Sequence, residues 1–383
     1  MDRAAYPSSS ISTSSGARLW LRRGALFCAG VVAALIALEG VMRLLPVTMG
    51  FYRTEHPDLW PLYNFQSRTP YTYSMTWEML YPRYGITNNY GQLAPFDYVT
   101  GSRPVIVVGD SYIESQMNDF RDTLQGDLGR MMGSSIPVYG LGVSGLSLSD
   151  YLALTAQAKT DFAPRAAVFL IVDGDISESL LDQVGHYYFR ATNTGFALDF
   201  HPMDQDPLLK RVRYSIGEIH LYRYLTSNLR FSAPDFRRIL AALKPREEGG
   251  GSKAQAAPAH YAVVDHFLSE LPRHSGIESR CIAFLLDADR YAIYDPRLAS
   301  TPKDEPELRG YFVRRAAELG YHVSDLRPLF SEDFAKHRRH FDYWPIDRHW
   351  NRLAHRLAAD EAYRLLFGPG DRRCGGEAQG PAN

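Results

Sequence analysis

Short, uniformly apolar runs alternate with longer amphipathic stretches from about residue 104 onward. Uniform apolarity is typical of strands that are covered on both faces, and the predicted strands are 104–109, 136–141, 166–172, 281–287 and 321–325. Apolar residues at helical spacing predict helices at 119–132, 307–319 and 350–367. This alternation indicates an α/β fold, a three-layer α/β/α sandwich with a central parallel sheet of about five strands.

A longer apolar run stands near the N-terminus, from Gly24 to Leu45, and its 22 residues suffice to cross a bilayer. A cleaved signal peptide is the alternative, but no small-x-small cleavage site precedes Pro46. We therefore predict an uncleaved single-pass anchor at residues 24–46. The arginines before it predict a cytosolic N-terminus and an exported main domain, periplasmic or extracellular, on the inner (cytoplasmic) membrane. They are Arg18, Arg22 and Arg23.

Glu39 and Arg43 are charges close to the outer end of this predicted span. They are four residues apart and share a helix face. Two interpretations are open: both side chains reach the outer membrane interface, or they contact a partner membrane protein.

The rest of the chain divides by composition. Residues 180–275 break the strand–helix rhythm and are predicted to be an insertion, a candidate lid, with a flexible loop at 244–259. The predicted organisation is a disordered cytosolic tail at 1–23, the anchor at 24–46, a juxtamembrane region at 47–100 packing on the main domain, the main domain at 101–368 and a disordered tail at 369–383.

Composition excludes several classes of function. The formal net charge of the 383 residues is −1, so no basic excess indicates binding to nucleic acid. The three cysteines are Cys28, within the span, and Cys281 and Cys374, whose pairing in an oxidising compartment stays open. No cysteine or histidine spacing indicates a metal site, and we expect no cofactor.

The first predicted strand ends abruptly in Gly109-Asp110-Ser111. Ser111 is either a helix cap or a nucleophile at the carboxyl end of the strand, where open α/β sheets bind ligands. A nucleophilic serine needs a base, and "DRHWN" at 347–351 places Asp347 two residues before His349. Asp347 is able to orient the imidazole toward Ser111, or else to cap a helix.

The second strand is followed by "GLGVSG" at 140–145. Gly142 leaves its backbone N–H accessible to a developing oxyanion, although a plain strand-to-helix turn uses glycine as well.

Together, "GDSY" at 109–112, "GLGVSG" at 140–145 and "DRHWN" at 347–351 resemble the three ordered blocks of the SGNH (GDSL-like) hydrolase superfamily. The resemblance covers about residues 100–368. It implies that Ser111 is the nucleophile, that His349 is the general base oriented by Asp347, and that the N–H groups of Ser111 and Gly142 form an oxyanion hole. Asp110 is then expected to fix the turn.

The sequence departs from the family in the block after the third strand, "IVDGDISES". Asp175 matches, but Gly174 takes the place of the asparagine that donates to the oxyanion. Ser177, Asn118 or a lid residue then has to supply that donor, or turnover is slow. In the second block Gly140 replaces the usual asparagine, and Ala354 replaces a glycine after the histidine.

The anchor with its "ExxxR" end, "TNNYGQ" at 87–92 and "DADRYAIYDP" at 287–296 are similar to membrane-anchored SGNH proteins of bacterial cell envelopes. A weaker similarity is to SGNH-like domains of exopolysaccharide O-acetylation, which often place the Asp-His motif before the serine.

Three functions follow from these resemblances. The first is a serine esterase that removes an O-acyl group, such as O-acetyl, from a carbohydrate or another small substrate. The second is a glycan O-acyltransferase that uses the same residues. The third is a catalytically weak glycan-binding or scaffold module of a membrane complex, which Gly174 would explain. The aromatics Tyr187, Tyr188 and Phe189 are candidates either to stack on sugars or to form the core of the insertion.

Overall fold

The computed structural model describes residues 14–56, 60–133, 135–203, 207–231, 257–369 and 374. Most of the predicted flexible loop at 244–259 lies outside these residues. Residues 1–13 of the predicted N-terminal tail, and nearly all of the predicted tail at 369–383, lie outside them as well.

All five predicted strands form and pair in parallel in one sheet. They are Val105–Gly109, Val138–Gly142, Ala166–Ile171, Ile282–Leu286 and His322–Asp325. Across the sheet the order is second, first, third, fourth and fifth. The chain therefore changes direction beside the first strand, and at such a switch point open α/β sheets bind ligands.

Alternate residues of the first strand point into two separate cores. Ile106 and Val108 belong to one core and Val105 and Val107 to the other, and all four are 0% exposed. Helices cover both faces, which confirms the three-layer prediction. The first face carries Leu148–Phe162, Ala257–Ser275 and Pro306–Glu318, and the second carries Leu124–Met132, Leu326–His337 and Arg352–Phe367.

Shorter elements complete the main domain. They are the helices Ser111–Glu114, Asp175–Glu178 and Arg290–Tyr294, the 3₁₀ turns Phe120–Asp122, Ser279–Cys281 and Pro296–Leu298, and the antiparallel strands Asp342–Tyr343 and Asp347–Trp350. The helix predicted at 119–132 starts only at Leu124, because the Thr123 hydroxyl accepts the Gly126 N–H at 3.2 Å and caps it there.

The insertion predicted at 180–275 is shorter at its C-terminal end. Residues Ala257–Ser275 form the helix that connects the third and fourth strands of the sheet. Val263, Val264, Phe267 and Leu271 are 0% exposed, so this helix belongs to the core. Its apolar residues recur at helical spacing, and the flexible loop before it concealed the connection.

The described remainder of the insertion has two parts. A hairpin pairs Tyr187–Thr192 with Gly195–Phe200. A helical run follows, comprising Pro207–Gly217, His220–Arg223 and a π-helical turn at Tyr224–Asn228.

The region at 47–100 contains two hairpins and packs on the sheet. The hairpins pair Arg53–His56 with Trp60–Phe65 and Pro70–Met75 with Leu80–Ile86. Tyr98 stacks on Tyr139 of the second core strand, with ring centroids 4.0 Å apart, and its hydroxyl donates to the Gly140 carbonyl at 2.8 Å. This region is therefore joined to the main domain at the strand that precedes the glycine-rich loop.

The N-terminal helix spans Ser14–Met42, so residues 14–23 are helical where a disordered tail was predicted. Its segment Leu19–Met42 contains an 18-residue stretch with a mean hydropathy of 2.2 and is long and apolar enough to cross a membrane. Glu39, for which two interpretations were open, contacts its own chain: it accepts the backbone N–H groups of His220 at 3.2 Å and Leu221 at 2.8 Å.

Cys281 and Cys374 form a disulfide, which answers the open question about their pairing. The bridge ties Cys374 to the start of the fourth core strand, and Cys374 is only 7% exposed.

Candidate active site

Ser111 is positioned by the end of the first core strand. The carboxylate of Asp110 accepts the Tyr112 N–H at 3.0 Å, so Asp110, and not Ser111, caps the short helix Ser111–Glu114. The Ser111 hydroxyl is therefore not the cap, and it lies 3.4 Å from Asp110 Oδ2. Asp110 fixes the turn, as the resemblance implied.

The three residues predicted to act together meet in space although 236 positions separate Ser111 from Asp347. The Ser111 Oγ lies 2.8 Å from His349 Nε2. On the other side of the ring, His349 Nδ1 lies 2.6 Å from Asp347 Oδ1, which also accepts the His349 backbone N–H at 2.8 Å.

The hydrogen bonds determine which nitrogen of His349 carries the proton. A carboxylate is an acceptor only, so it requires the proton on Nδ1 and leaves Nε2 as the acceptor for the Ser111 hydroxyl. Burial alone would raise the pKa of Asp347, but hydrogen bonds from His349 and Arg230 hold that pKa far below its usual value. The ionised Asp347 thus fixes the orientation that a serine nucleophile needs.

A second serine–histidine pair lies nearby and differs from Ser111–His349 in its burial and in which ring nitrogen carries the proton. Ser115 Oγ is 3.0 Å from His355 Nε2, and both residues are buried. His355 Nδ1 accepts the Leu124 N–H at 3.1 Å, so its proton is on Nε2 and donates to Ser115. Burial lowers the pKa of His355 to about 3. This ring is unable to take a proton from its serine, and the pair is structural.

The strand Asp347–Trp350, which carries the acid and the base, is fixed to the core by buried polar groups. The Arg348 carbonyl accepts from Arg290 Nη2 at 2.6 Å and from the Tyr112 hydroxyl at 3.2 Å. Trp350 Nε1 donates to Asp287 at 2.9 Å. Burial alone would lower the pKa of Arg290, but Asp287 and its other neighbours hold it well above its usual value, so the charge persists.

The Ser111 hydroxyl and His349 face a cavity of about 260 Å³. Its walls come from the core, from the hairpins that follow the N-terminal helix and from the insertion. The lining residues are Thr48, Phe51, Tyr73, Ser74, Met75, Thr76, Ser111, Glu114, Gln116, Met117, Ser144, Arg223, Ser227, Arg230, Asp347 and His349.

Glu114 is a buried carboxylate at the floor of this cavity, with a side chain only 2% exposed. It accepts from the Ser144 N–H at 2.8 Å, from the Ser144 hydroxyl at 2.7 Å, from Arg53 at 2.9 Å and from Gln116. It thereby joins the serine helix to the loop after the second strand and to the first hairpin.

The insertion contributes two arginines to the cavity. Arg230 donates to Asp347 Oδ2 at 2.7 Å, on the oxygen that His349 does not use. Arg223 donates to the Gly217 carbonyl at 2.9 Å and lies over the Tyr52 ring.

Asn228 locks the insertion to the first hairpins. Its amide nitrogen donates to Ser74 Oγ at 2.9 Å, to the Ser74 carbonyl at 3.2 Å and to the Thr76 carbonyl at 3.2 Å. Its side-chain oxygen accepts the Thr48 N–H at 3.1 Å.

The residues considered for the oxyanion hole are placed differently. From the loop after the second strand Ser144 lines the cavity, whereas Gly142 packs so closely against Ile113 and Glu114 that a Cβ would lie 2.2 Å from the Glu114 nitrogen. Only glycine fits there. The close packing by itself explains why position 142 is a glycine, so the residue type is not evidence for a role in binding an oxyanion. The role predicted for the Gly142 N–H stays a prediction.

The proposed substitutes for the missing asparagine are occupied. The Ser177 hydroxyl donates to the Gly174 carbonyl at 3.3 Å, and its N–H donates to Asp304 at 3.0 Å. Asn118 donates to Ser115 Oγ at 2.9 Å and to the Trp350 carbonyl at 2.8 Å. Of the three options considered, a residue of the insertion is the one that reaches the cavity.

Two further carboxyl groups are buried behind the site. Burial raises the pKa of Asp110 to about 6, against the opposing effect of the Tyr112 N–H and His349. Burial and the neighbouring Asp110 raise the pKa of Asp175 well above its usual value. Asp175 accepts from the Val172 N–H at 3.0 Å and from the Tyr151 hydroxyl at 3.1 Å, so its contacts support the turn after the third strand.

Phe189 and Tyr187 pack into the main-domain core on the first face of the sheet, and not into a separate core of the insertion. Phe189 is 2% exposed, and Tyr187 packs on Phe200. They are not among the described residues that line the cavity.

Sequence reasoning missed Arg230, Arg223, Ser144 and Glu114. Glu114 left a signal, since a charge stands in an otherwise apolar helical turn three residues after Ser111. The two arginines left none, because they lie in a segment without a repeating pattern.

No family model and no curated protein matches the chain. Solved structures do match its fold. An acetyl xylan esterase aligns at 13% identity and a TM-score of 0.36, covering 69% of this chain and 100% of that chain. A member of the lipolytic G-D-S-L family from Veillonella parvula aligns at 12% identity and a TM-score of 0.35, covering 69% of this chain and 97% of that chain. A putative lipolytic protein of the G-D-S-L family from Desulfitobacterium hafniense aligns at 12% identity and a TM-score of 0.30, covering 69% of this chain and 99% of that chain.

Identities and TM-scores this low do not establish what this chain does.

Proposed function

We propose that the protein is a membrane-anchored serine esterase of the SGNH type that removes a small O-acyl group, such as acetyl, through an acyl-Ser111 intermediate. The observation that carries this proposal is the continuous hydrogen-bonded series Ser111–His349–Asp347 facing one cavity. A cavity of about 260 Å³ lies at the small end of ligand sites and favours a short acyl group.

In the first half-reaction the Ser111 Oγ attacks the carbonyl carbon of the ester and gives its proton to His349 Nε2. The ionised Asp347 stabilises the resulting imidazolium through Nδ1. The tetrahedral intermediate then breaks its bond to the alcohol oxygen, which leaves with the proton from His349. The products are the free alcohol and an ester between Ser111 and the acyl group.

In the second half-reaction a water molecule gives a proton to His349 Nε2 and its oxygen attacks the acyl carbon. Breakdown of this intermediate returns the proton to the Ser111 oxygen and releases the carboxylic acid. Negative charge develops on the former carbonyl oxygen in both steps. Arg223 lines the same cavity and brings positive charge to it, in place of the side-chain amide of the asparagine that Gly174 replaces.

Three features support export and anchoring. The helix at Leu19–Met42 is long and apolar enough to span a bilayer. Arginines precede it and favour a cytosolic N-terminus. The Cys281–Cys374 disulfide is of the kind that persists in oxidising compartments outside the cytosol.

Labelling with a fluorophosphonate probe tests the nucleophile. We expect the wild-type protein and Ser115→Ala to label and Ser111→Ala not to label, since only Ser111 has an activated base. Ser115→Ala is the matched control, because it removes a serine that also lies beside a histidine. Labelling that persists in Ser111→Ala, or a folded wild type that never labels, would contradict the proposal.

A further inference from the structure

The cavity lies close to the end of the N-terminal helix. That helix ends at Met42, and Thr48, six residues later, already lines the cavity. Six residues span at most about 20 Å even when fully extended. The chain here is not extended, because Leu44 and Leu45 donate back to the carbonyls of Val41 and Met42 in a tight turn.

A second connection ties the insertion residues that line the cavity to the same helix end. Glu39 accepts the N–H groups of His220 and Leu221, which begin the short helix His220–Arg223. The side chain of Ile219, which precedes this helix, makes no capping hydrogen bond. Glu39 is therefore the side chain that accepts the free N–H groups at the start of the helix. Arg223, at the end of the helix, lines the cavity.

The helical run from 216 to 229 carries apolar side chains on the side away from the cavity. Tyr222, Leu225 and Leu229 are 42%, 40% and 44% exposed, while Arg223 and Ser227 between them face the cavity. We call the exposed set the apolar surface. It comprises Ile216, Ile219, Tyr222, Leu225, Leu229 and, on the adjacent hairpin turn, Trp77.

Trp77 belongs to this surface because the Tyr224 hydroxyl donates to its backbone carbonyl at 3.1 Å, and its side chain is 61% exposed. Exposed large hydrophobic side chains are concentrated in the hairpin and insertion regions, which also contain Tyr84 at 69%, Ile86 at 60% and Val184 at 56%. In the described residues 257–369, Leu298 is the one large hydrophobic side chain that is comparably exposed. A concentrated exposed patch marks an interaction site, whereas single exposed residues are ordinary.

We propose that the apolar surface lies in the interfacial layer of the bilayer beside the anchor, and that the enzyme acts on an acyl ester carried by a membrane-embedded amphiphile. The proposal rests on the anchor and the esterase activity proposed above. Continuity with the membrane-spanning helix identifies the lipid surface as the occupant, because Glu39 in that helix contacts the segment that carries the surface. Tryptophan and tyrosine are also the residues that prefer membrane interfaces.

This arrangement has a consequence for the substrate. An ester held at the level of the lipid headgroups would reach Ser111 without leaving the membrane, whereas a water-soluble ester would gain nothing from the apolar surface. The surface should therefore affect the two kinds of ester differently.

Membrane contact is measured first, without any need for turnover. The full-length chain with Cys28→Ser is reconstituted in lipid nanodiscs, and a spin label is attached at Tyr222→Cys, Leu225→Cys or, as the control, Leu298→Cys. We expect the labels at 222 and 225 to collide more often with oxygen, which dissolves in lipid, and less often with a water-soluble nickel chelate than the label at 298. Equal accessibility at all three positions overturns the proposal. Spin–spin broadening at 222 between copies overturns it too, since it assigns the surface to self-association.

The substrate class is measured second. Two acetyl esters with the same leaving group are compared in the same nanodiscs, one water-soluble and one attached to a phospholipid. For Tyr222→Ser/Leu225→Ser/Leu229→Ser we expect a loss of at least about ten-fold on the lipid-attached ester, because three apolar side chains no longer enter the interface. Hydrolysis of the soluble ester should stay unchanged, and Leu298→Ser should leave both rates unchanged.

Equal losses on both esters, or no loss on either, overturn the proposal. A wild type that cleaves only the soluble ester overturns the inference about the substrate and leaves the esterase intact. A wild type that cleaves neither ester and does not react with fluorophosphonate contradicts the proposed function itself. The spin-label result still decides the membrane contact in that case.

Discussion

The two sides of the cavity are built in different ways. Ser111 and His349 stand on a side formed by core strands and by the short strand packed on them, where Val105 to Val108 are 0% exposed and buried polar groups hold the backbone. The opposite side, which we call the wall, comes from the hairpin residues 48–76 and the insertion residues 223–230. It is held by hydrogen bonds of Asn228, Arg230 and Glu39 and by the packing of Phe51 on Phe65 and Tyr73.

The difference separates two tasks. The core side fixes the chemistry, because parallel strands and a close-packed interior leave its residues little freedom. The wall decides what reaches the chemistry, and its few polar contacts allow it to open locally at a free-energy cost below that of global unfolding. Changes to the core side should therefore alter catalysis or global stability, and changes to the wall should alter local opening and substrate access.

The largest effect is expected from Asp347→Asn on the core side. An amide presents a donor to His349 Nδ1 or favours the wrong tautomer, so kcat should fall on the order of 10⁴-fold. The measurement is kcat for a soluble acetyl ester, with the exposed Asp360→Asn as the control. A loss below ten-fold would show that Asp347 does not orient His349.

The pH dependence of global stability comes next and also concerns the core side. The pKa of Asp110 is raised to about 6 in the folded protein, from 3.8 when unperturbed, so the folded state binds its proton more tightly. The associated stability is complete below about pH 4 and is lost as pH rises through 6, at most about 3 kcal/mol.

Asp110→Asn removes this titration and keeps the acceptor for the Tyr112 N–H. Its melting temperature, relative to that of the wild type, should therefore rise between pH 4 and pH 7. A difference that is constant across this range would refute the assigned titration.

On the wall, Asn228→Ala is expected to have a smaller, local effect. It leaves the Thr48 N–H without its buried acceptor and removes the amide that joins the insertion to Ser74, at a cost of about 1–3 kcal/mol. Hydrogen exchange should accelerate at 46–76 and 220–229, while the strand Val105–Gly109 stays protected as the internal reference. Uniform acceleration in both regions would show that the wall and the core unfold as one unit.

The smallest effect is expected from Arg230→Ala, which removes the guanidinium from Asp347. The Arg230 side chain is 69% exposed, and an exposed ion pair contributes about 0.2–1 kcal/mol, so kcat should fall roughly two- to five-fold. Arg68→Ala is the matched control, since Arg68 is 67% exposed and pairs with Asp97 away from the cavity. A loss of a hundred-fold or more would move Arg230 into the catalytic machinery.

Much of the core side could be predicted from residues alone. Each of the five apolar runs became a strand within two residues of its predicted bounds, because a buried parallel strand has to be apolar on both faces. The Gly-Asp-Ser and Asp-x-His motifs predicted that Ser111, Asp347 and His349 lie together, and the structure places them within hydrogen-bond distance of one another. The end of the insertion was misplaced because Ala257–Ser275 follows a long segment without a pattern.

The sequence by itself thus determined the sheet, its two helical layers, the apolar N-terminal helix and the three residues of the hydrogen-bonded series. Local periodicity and short motifs encode these features. Only the tertiary structure decided that Arg230 reaches Asp347, that Asn228 joins the insertion to Ser74 and that Glu39 contacts residues 220 and 221. Those contacts join side chains and backbone groups 117 to 182 positions apart in the insertion and the hairpins, and distant hydrogen bonds leave no repeating pattern along a chain.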